Sequence, residues 1–295
     1  MPNRTFDFVQ LDVFTSRPLE GNQLAVFPDA RGLSDDEMQK LAKEMNLSET
    51  TFLLPRDREI EAREGVRVRI FTVQEELPFA GHPTLGTAWA IKQQRPEQKE
   101  IVLALNVGSV PVRFEQRDGQ LFGEMRQVDP TFAEFHQHAA VARVLGVGVD
   151  ELDESLPIQT VSTGMHFTIV PFRQVSKLEQ LSVGWSQMAP YLSGFGHPSF
   201  FYFVARDGER GTKLRARMLF YNGEDPATGS AAGCCVAWAV KHGVFPSGEQ
   251  CLIEQGREMR RPSYLYVRAS RQHDTVVNVR VGGHVVAVIN GRVTL

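Results

Sequence analysis

Polar and apolar residues alternate through Thr5–Phe14, and again near 23–27, the two-residue period of strands with one face on a core. A helix follows over 35–45, opened by Ser34 and Glu37 at capping-box spacing. Strands near 50–55 and 66–73 come next, then a helix from Pro83 and strands near 100–105, 109–115 and 120–126. The second half reads as a helix over 132–145, with Thr131 and Glu134 repeating the capping-box spacing, then strands near 158–162 and 166–171. A helix near 185–192, strands near 199–206 and 213–219, a helix over 226–242 and further strands complete the chain. The order of elements is almost the same in the two halves.

One phrase occurs twice. His82-Pro83-Thr84-Leu85-Gly86-Thr87-Ala88 matches Asp225-Pro226-Ala227-Thr228-Gly229-Ser230-Ala231, and each copy follows a strand of alternating basic and apolar residues, "RVRIFT" from Arg67 and "RARMLF" from Arg215. The helices after the two phrases have small or apolar residues on every face, so each must be surrounded by other structure. The expected fold is therefore α+β (mixed α/β): two pseudo-symmetric domains, each a curled, mainly antiparallel, barrel-like sheet around a central helix. The seam falls at Gln127–Pro130, where Asp129-Pro130 signals a turn. This gives domains over 1–127 and 128–295, with the last strand, about 284–295, packing back on the first.

Composition narrows the function classes. With 42% hydrophobic and 23% charged residues and a net charge of -3, the 295-residue chain is of ordinary globular type and has no basic footprint for nucleic acid. No stretch reads as a signal peptide or a membrane span, and three cysteines, two of them the adjacent Cys234 and Cys235, make a poor disulfide framework. A cytoplasmic protein acting on a small molecule is expected.

Proline suits the first turn of a helix, so His82 and Asp225 are expected at or beside N-caps. Free N–H groups and the positive end of the helix dipole then make a small anion site at each phrase. Gly81, Thr84 and Gly86 in one copy, with Gly229 and Ser230 in the other, are the candidate substrate contacts. Two such helix ends facing each other would grip a small anion from both sides. A helix start also favours a neutral imidazole at His82, which suits proton handling. Either phrase alone reads more simply as ordinary capping; it is the pair, opening matching buried helices, that points to a site. Glu49 sits where the first helix gives way to a strand, and the corresponding place in the second half, at Pro198 and Ser199, has no acid. A carboxylate in one copy only is what a duplicated scaffold with a single general base would show.

Five separated motifs in order resemble the PhzF family of phenazine-biosynthesis proteins, which has the diaminopimelate epimerase-like fold. They are "LEGNQLAVF", "EMNLSETTF", "ELPFAGHPTLGTA", "EDPATGSAAG" and "RPS", and the resemblance covers nearly the whole chain. It implies two domains related by a pseudo-twofold axis with the site between them, and a metal-free, cofactor-free isomerase, usually a homodimer. It places the catalytic glutamate on Glu49, the Gly-His-Pro histidine on His82, the aspartate before the Thr-Gly-Ser turn on Asp225 and the serine of that turn on Ser230, and makes Glu49, His82 and Asp225 the candidate catalytic residues. The reaction attached to the phenazine member is isomerisation of trans-2,3-dihydro-3-hydroxyanthranilate. Two departures, Arg260 before Arg261-Pro262-Ser263 and Pro226 after Asp225, bear on the substrate and leave the reaction class untouched.

The expected mechanism has Glu49 removing a proton from carbon and returning it elsewhere on the same molecule, with His82 and Asp225 holding the substrate and Ser230 adding a hydrogen bond. A two-cysteine racemase is disfavoured because no cysteine precedes Cys234. An epimerase using carboxylates and a non-catalytic binding or scaffold protein remain as rivals. His136 and His138, two apart in a presumed helix, point to different faces and make no metal pair. "VLGVGVD" lacks the third glycine of a dinucleotide loop and reads as a helix stop. "CCVAWAV", Trp238 included, reads as core.

Overall fold

The computed structural model describes residues 4–207, 213–221 and 223–295. Two compact units divide the chain, Met1–Arg126 with Gly282–Leu295, and Gln127–Val281. The first carries β1 (Thr5–Val13), β2 (Asn22–Phe27), α1 (Asp35–Met45), β3 (Glu49–Leu54), α2 (Arg58–Glu64), β4 (Val66–Phe71), β5 (Glu76–Leu77), α3 (Gly81–Gln94), β6 (Glu100–Leu105), β7 (Gly108–Arg117) and β8 (Gln120–Arg126). The second begins with β9 (Thr131–His136), α4 (His138–Leu145), β10 (Ile158–Ser162), β11 (His166–Phe172), α5 (Val175–Gln180) and α6 (Trp185–Leu192). It continues with β12 (Ser199–Arg206), β13 (Lys213–Arg217), β14 (Leu219–Phe220), β15 (Gly223–Glu224), α7 (Gly229–Lys241), β16 (Cys251–Gln255) and β17 (Ser263–Gln272). The long strand β18 (Thr275–Thr294) leaves the second unit and, from Gly282, belongs to the first.

In the first unit β1–β2 is antiparallel, β2–β3 parallel, β3–β4 antiparallel, β4–β6 parallel, and β6–β7–β8 antiparallel. A parallel pair needs a long crossover, and α1 and α3 lie on those two crossovers. β18 neighbours β8 and pairs antiparallel with β1, so the sheet closes on itself. Inside it α3 packs against β1, β2, β3, β6, β7 and β8, with Gly81–Ala88, Ala90 and Ile91 all buried. Gly86 lets the helix come this near, since a Cβ there would stand 2.6 Å from Leu24 Cδ2. Outside, α1 turns Met38, Leu41 and Ala42 onto Phe27, Phe52 and Phe71. Each fully buried phenyl ring of this kind contributes about 1.5–3 kcal/mol. The Ser34–Glu37 capping box is formed as its spacing predicts.

In the second unit β10–β11 is antiparallel, β11–β12 parallel, β12–β13 antiparallel, β13–β16 parallel and β16–β17 antiparallel. This is the same succession as from β1 to β7. Here α7 is the enclosed helix: Gly229–Val240 are buried without a break, against β10, β11 and β17. The ring of Trp238 is fully buried and its Nε1 donates to the carbonyl of Pro157 at 3.0 Å. The α+β reading, with one curled sheet and one central helix per half, is what the chain forms.

Several local expectations are corrected. Residues 131–136 form β9, paired antiparallel with β10, and the helix begins only at His138 with Gln137 as its N-cap. The spacing of Thr131 and Glu134 carried no weight against an open strand edge whose partner lies over twenty residues on. His136 and His138 therefore sit at the end of a strand and the start of a helix; His136 bonds Tyr191 and Thr160, and His138 the carbonyl of Leu156. Gly146 stops α4 in the left-handed conformation, as expected of a helix stop. The short helices α2 and α5 had no visible signal. The two phrase helices also start elsewhere than at their prolines. In α3 the helix begins at Gly81, before Pro83, and in α7 at Gly229, three residues after Pro226.

Candidate active site

The cross-strand register makes the two copies comparable residue by residue. Phe52 lies opposite Arg69 in β3–β4, and Phe203 opposite Arg217 in β12–β13. Counting back along the strands, Phe200 occupies the place of Glu49, and Tyr202 that of Thr51. The acid at Glu49 has an aromatic ring as its counterpart, one residue further on than Ser199.

In the first unit Asn46, in the left-handed conformation, ends α1, and three residues later Glu49 opens β3. Its side chain is 15% exposed, and its Oε2 lies 3.4 Å from Nε2 of His82. His82 is the second residue of α3, inside its first turn rather than at the N-cap, which is Ala80. The imidazole is buried and held on both nitrogens. The Asn22 amide donates to Nδ1 at 3.3 Å, and Nε2 donates to the carbonyl of Gln23 at 3.3 Å. These partners select the Nε2–H tautomer, whose hydrogen goes to Gln23, with Glu49 Oε2 nearby. Burial drives the His82 pKa down to about 3, outweighing the Gln23 carbonyl, which favours the charged form. The Glu49–His82 contact is thus a carboxylate beside a neutral imidazole and not an ion pair.

Of the other first-unit candidates, Thr84 turns its hydroxyl to the carbonyl of Ala80 at 2.7 Å, and Gly86 is explained by packing on Leu24 and Val13. Gly81 is the first residue of α3. Beneath Glu49 on the same strand face, the Thr51 and Thr87 hydroxyls are 2.8 Å apart in the core.

In the second unit Asp225 precedes α7 by a turn, because Thr228 is the N-cap. The Thr228 hydroxyl donates to Asp225 Oδ2 at 2.6 Å. Gln255 of β16, fully buried, donates to the Asp225 carbonyl at 2.7 Å and accepts from the Thr228 N–H at 3.2 Å. Gly229 and Ser230 are the first two residues of α7, both buried, and the Gly229 carbonyl accepts from Gln127 at 2.9 Å. The "RPS" segment supports the same turn. Gly256, at φ +81, allows the chain to fold so closely that a Cβ would stand 2.5 Å from the carbonyl oxygen of Pro226. Cys234 and Cys235 are buried in α7, and desolvation pushes both thiols up, Cys234 to about 11.

The structure thus brings Glu49 and His82 together within one unit, and Asp225, Gly229 and Ser230 onto one turn within the other. Asn22, Thr228, Tyr202 and Gln255 were not foreseen. Neither were two paired ions, although their signal was present: Arg69–Glu76 and Arg217–Glu224 recur at the same seven-residue spacing just before each phrase. Nothing local marks Gln255, whose partners Thr228, Asp225 and Tyr202 are 27, 30 and 53 residues away.

The profile of the phenazine biosynthesis-like protein family matches residues 11–291. The chain is 36% identical, over 98% of its length and 99% of the relative's, to trans-2,3-dihydro-3-hydroxyanthranilate isomerase of Pseudomonas aeruginosa. Among solved structures it resembles a Bacillus anthracis phenazine biosynthesis protein of the PhzF family, at TM-score 0.88 and 25% identity, covering 99% of this chain and all of that one. It also resembles a Pseudomonas aeruginosa protein described as a predicted epimerase, at TM-score 0.82 and 35% identity, covering 98% and 99%.

Proposed function

Because the chain belongs to the phenazine biosynthesis-like protein family and is an isomerase, we propose that it moves a proton between two carbons of a small carboxylate, with Glu49 as the acid/base group. The carrying observation is the Glu49 carboxylate 3.4 Å from an imidazole that burial keeps neutral. A neutral imidazole at that distance does not neutralise the carboxylate as a charged one would, so Glu49 keeps the capacity to accept a proton and return it. Moving a proton between two carbons of one molecule leaves its overall oxidation state unchanged, so an acid/base group suffices and the reading includes no cofactor or metal. Glu49, His82 and Asp225 are the proposed catalytic residues, His82 handling protons and Asp225 holding the substrate, and Gly81, Thr84, Gly86, Gly229 and Ser230 are assigned to substrate binding. The resemblance also carries into the proposal a homodimer working in the cytoplasm. Among the described residues no helix is long and apolar enough to cross a membrane.

Epimerisation at one carbon is the second reading, favoured by the likeness to the protein described as a predicted epimerase. It is the weaker one, because epimerisation with a base on each face needs two such groups, and Phe200 stands at the counterpart of Glu49. The buried thiols of Cys234 and Cys235 supply no replacement.

The test is incubation with trans-2,3-dihydro-3-hydroxyanthranilate, and separately with small amino and hydroxy acids, in D2O. Proton NMR then reads isomerised product, inverted product or deuterium uptake. Isomerised product from the first compound, lost in Glu49→Gln, supports the proposal. Inversion of an amino or hydroxy acid moves the protein to the second reading, and exchange with none of these compounds removes both.

A further inference from the structure

The enclosed end of the second unit carries polar groups where the first unit is apolar or small. Arg67 lies opposite Ala104, and Arg215 opposite Glu254, so Gln255 is the counterpart of Leu105, which is buried. By the repeated phrase, Thr228 is the counterpart of the fully buried Leu85. Tyr202, also fully buried, is the counterpart of Thr51. Three positions thus carry larger or more polar side chains in the second copy of the core than in the first. Burying such groups is unfavourable unless every one finds a partner.

Here every one does, in a single directed chain. The Tyr202 hydroxyl donates to Gln255 Oε1 at 2.9 Å, and the Thr228 N–H donates to the same atom at 3.2 Å. Gln255 Nε2 donates to the Asp225 carbonyl at 2.7 Å and to the Thr228 hydroxyl at 3.0 Å. That donation leaves the Thr228 hydrogen to go to Asp225 Oδ2, 2.6 Å away. The amide cannot be flipped, because its nitrogen would then face the Thr228 N–H and its oxygen the Asp225 carbonyl. The chain ends on the Asp225 carboxylate, which is ionisable and partly exposed.

We infer that Gln255, Tyr202 and Thr228 are positioning residues that hold the Asp225 carboxylate in one orientation as a hydrogen-bond acceptor for substrate. The inference rests on the proposed role of Asp225, and it accounts for Gln255, Tyr202 and Thr228 standing where the first unit has Leu105, Thr51 and Leu85.

The test compares Gln255→Leu, which installs the first unit's residue, with Tyr202→Phe, Thr228→Val and Thr228→Ser. Turnover of trans-2,3-dihydro-3-hydroxyanthranilate is measured together with the exchange rate of the residue 228 amide. Loss of positioning lowers kcat by about 10- to 100-fold in Gln255→Leu and Thr228→Val, with KM changed less than about threefold, while Thr228→Ser restores most of the turnover. The residue 228 amide exchanges at least about tenfold faster in Gln255→Leu. Wild-type kcat in both Gln255→Leu and Thr228→Val overturns the inference, as does unchanged amide exchange in Gln255→Leu. If wild-type protein does not turn the compound over, the functional reading fails by that result. Amide exchange then decides the positioning separately: faster in Gln255→Leu and Thr228→Val but not in Thr228→Ser upholds it, and unchanged exchange refutes it.

Discussion

Arg217 holds Glu224 through two parallel N–H···O bonds of 2.8 and 2.9 Å, and Glu224 is the residue immediately before Asp225. A third nitrogen, Nη1, caps the end of α5 by donating to the carbonyls of Leu178 and Leu181. The first unit has the same device: Arg69 holds Glu76 at 2.8 and 2.6 Å. Five more residues separate the clamp from the phrase in the first unit, where α3 starts before its proline, than in the second, where α7 starts after it. Both clamps lie between a sheet strand and the turn that follows.

Arg217 and Glu224 are only 8% and 14% exposed, so breaking the pair strands a buried charge. Glu224→Gln is expected to lower stability by about 3 kcal/mol, and Arg217→Lys by somewhat less, because lysine cannot make the two parallel bonds or reach the α5 carbonyls. Urea denaturation followed by circular dichroism measures both. A loss below about 0.5 kcal/mol in Glu224→Gln would show that the clamp is not structural.

Glu49→Gln keeps the side-chain shape and the neighbourhood of His82 and removes only the titrating oxygen. Turnover is expected to fall by about 10²–10⁴-fold, with thermal stability close to wild type. Steady-state kinetics and a melting curve read the two effects. A variant that retains wild-type turnover removes Glu49 from the mechanism.

His82 ties stability to acid pH. Its folded pKa, about 3, lies below the ordinary 6.5. Between those values the unfolded chain binds a proton that the folded one refuses, so stability rises with pH through that window and is level above it. The slope from this one group is about 1.4 kcal/mol per pH unit. Urea midpoints at roughly pH 4.5, 5.5 and 7 should show the slope in wild type reduced by about one proton's worth in His82→Gln. Identical slopes in the two proteins would mean that the imidazole titrates normally in the fold.

At Gly256 the left-handed φ of +81 and the nearness of two carbonyl oxygens, those of Arg261 and Pro226, exclude any side chain. Gly256→Ala is expected to cost about 2–3 kcal/mol and to disturb the Asp225 turn through Pro226, so that stability and turnover fall together. Thermal melting and kinetics on the same preparation check it. A variant with wild-type melting shows that the turn relaxes without loss.

Much of the site was legible because its parts are local. The apolar runs after His82 and Asp225 announced buried helices, and Asn46 followed by Glu49 marked a helix end and a strand start. The repeated Arg-to-Glu spacing was equally present in the letters. What misled was spacing without partners: Thr131 and Glu134 spelled a cap, while the pairing of β9 with β10 made the segment a strand.

By itself the sequence determined most of the strands and helices, which two helices are buried, that the halves share one plan, and that the place of Glu49 has no acid in the second half, because periodicity and motif are read from short stretches of chain. Only the tertiary structure decided who meets whom. Asn22 reaches His82 across 60 residues and Gln255 reaches Asp225 across 30, since strand register, set by packing of whole faces, fixes those pairs. Burial decided the rest: it is removal from water, invisible in any single stretch of chain, that keeps His82 neutral beside Glu49.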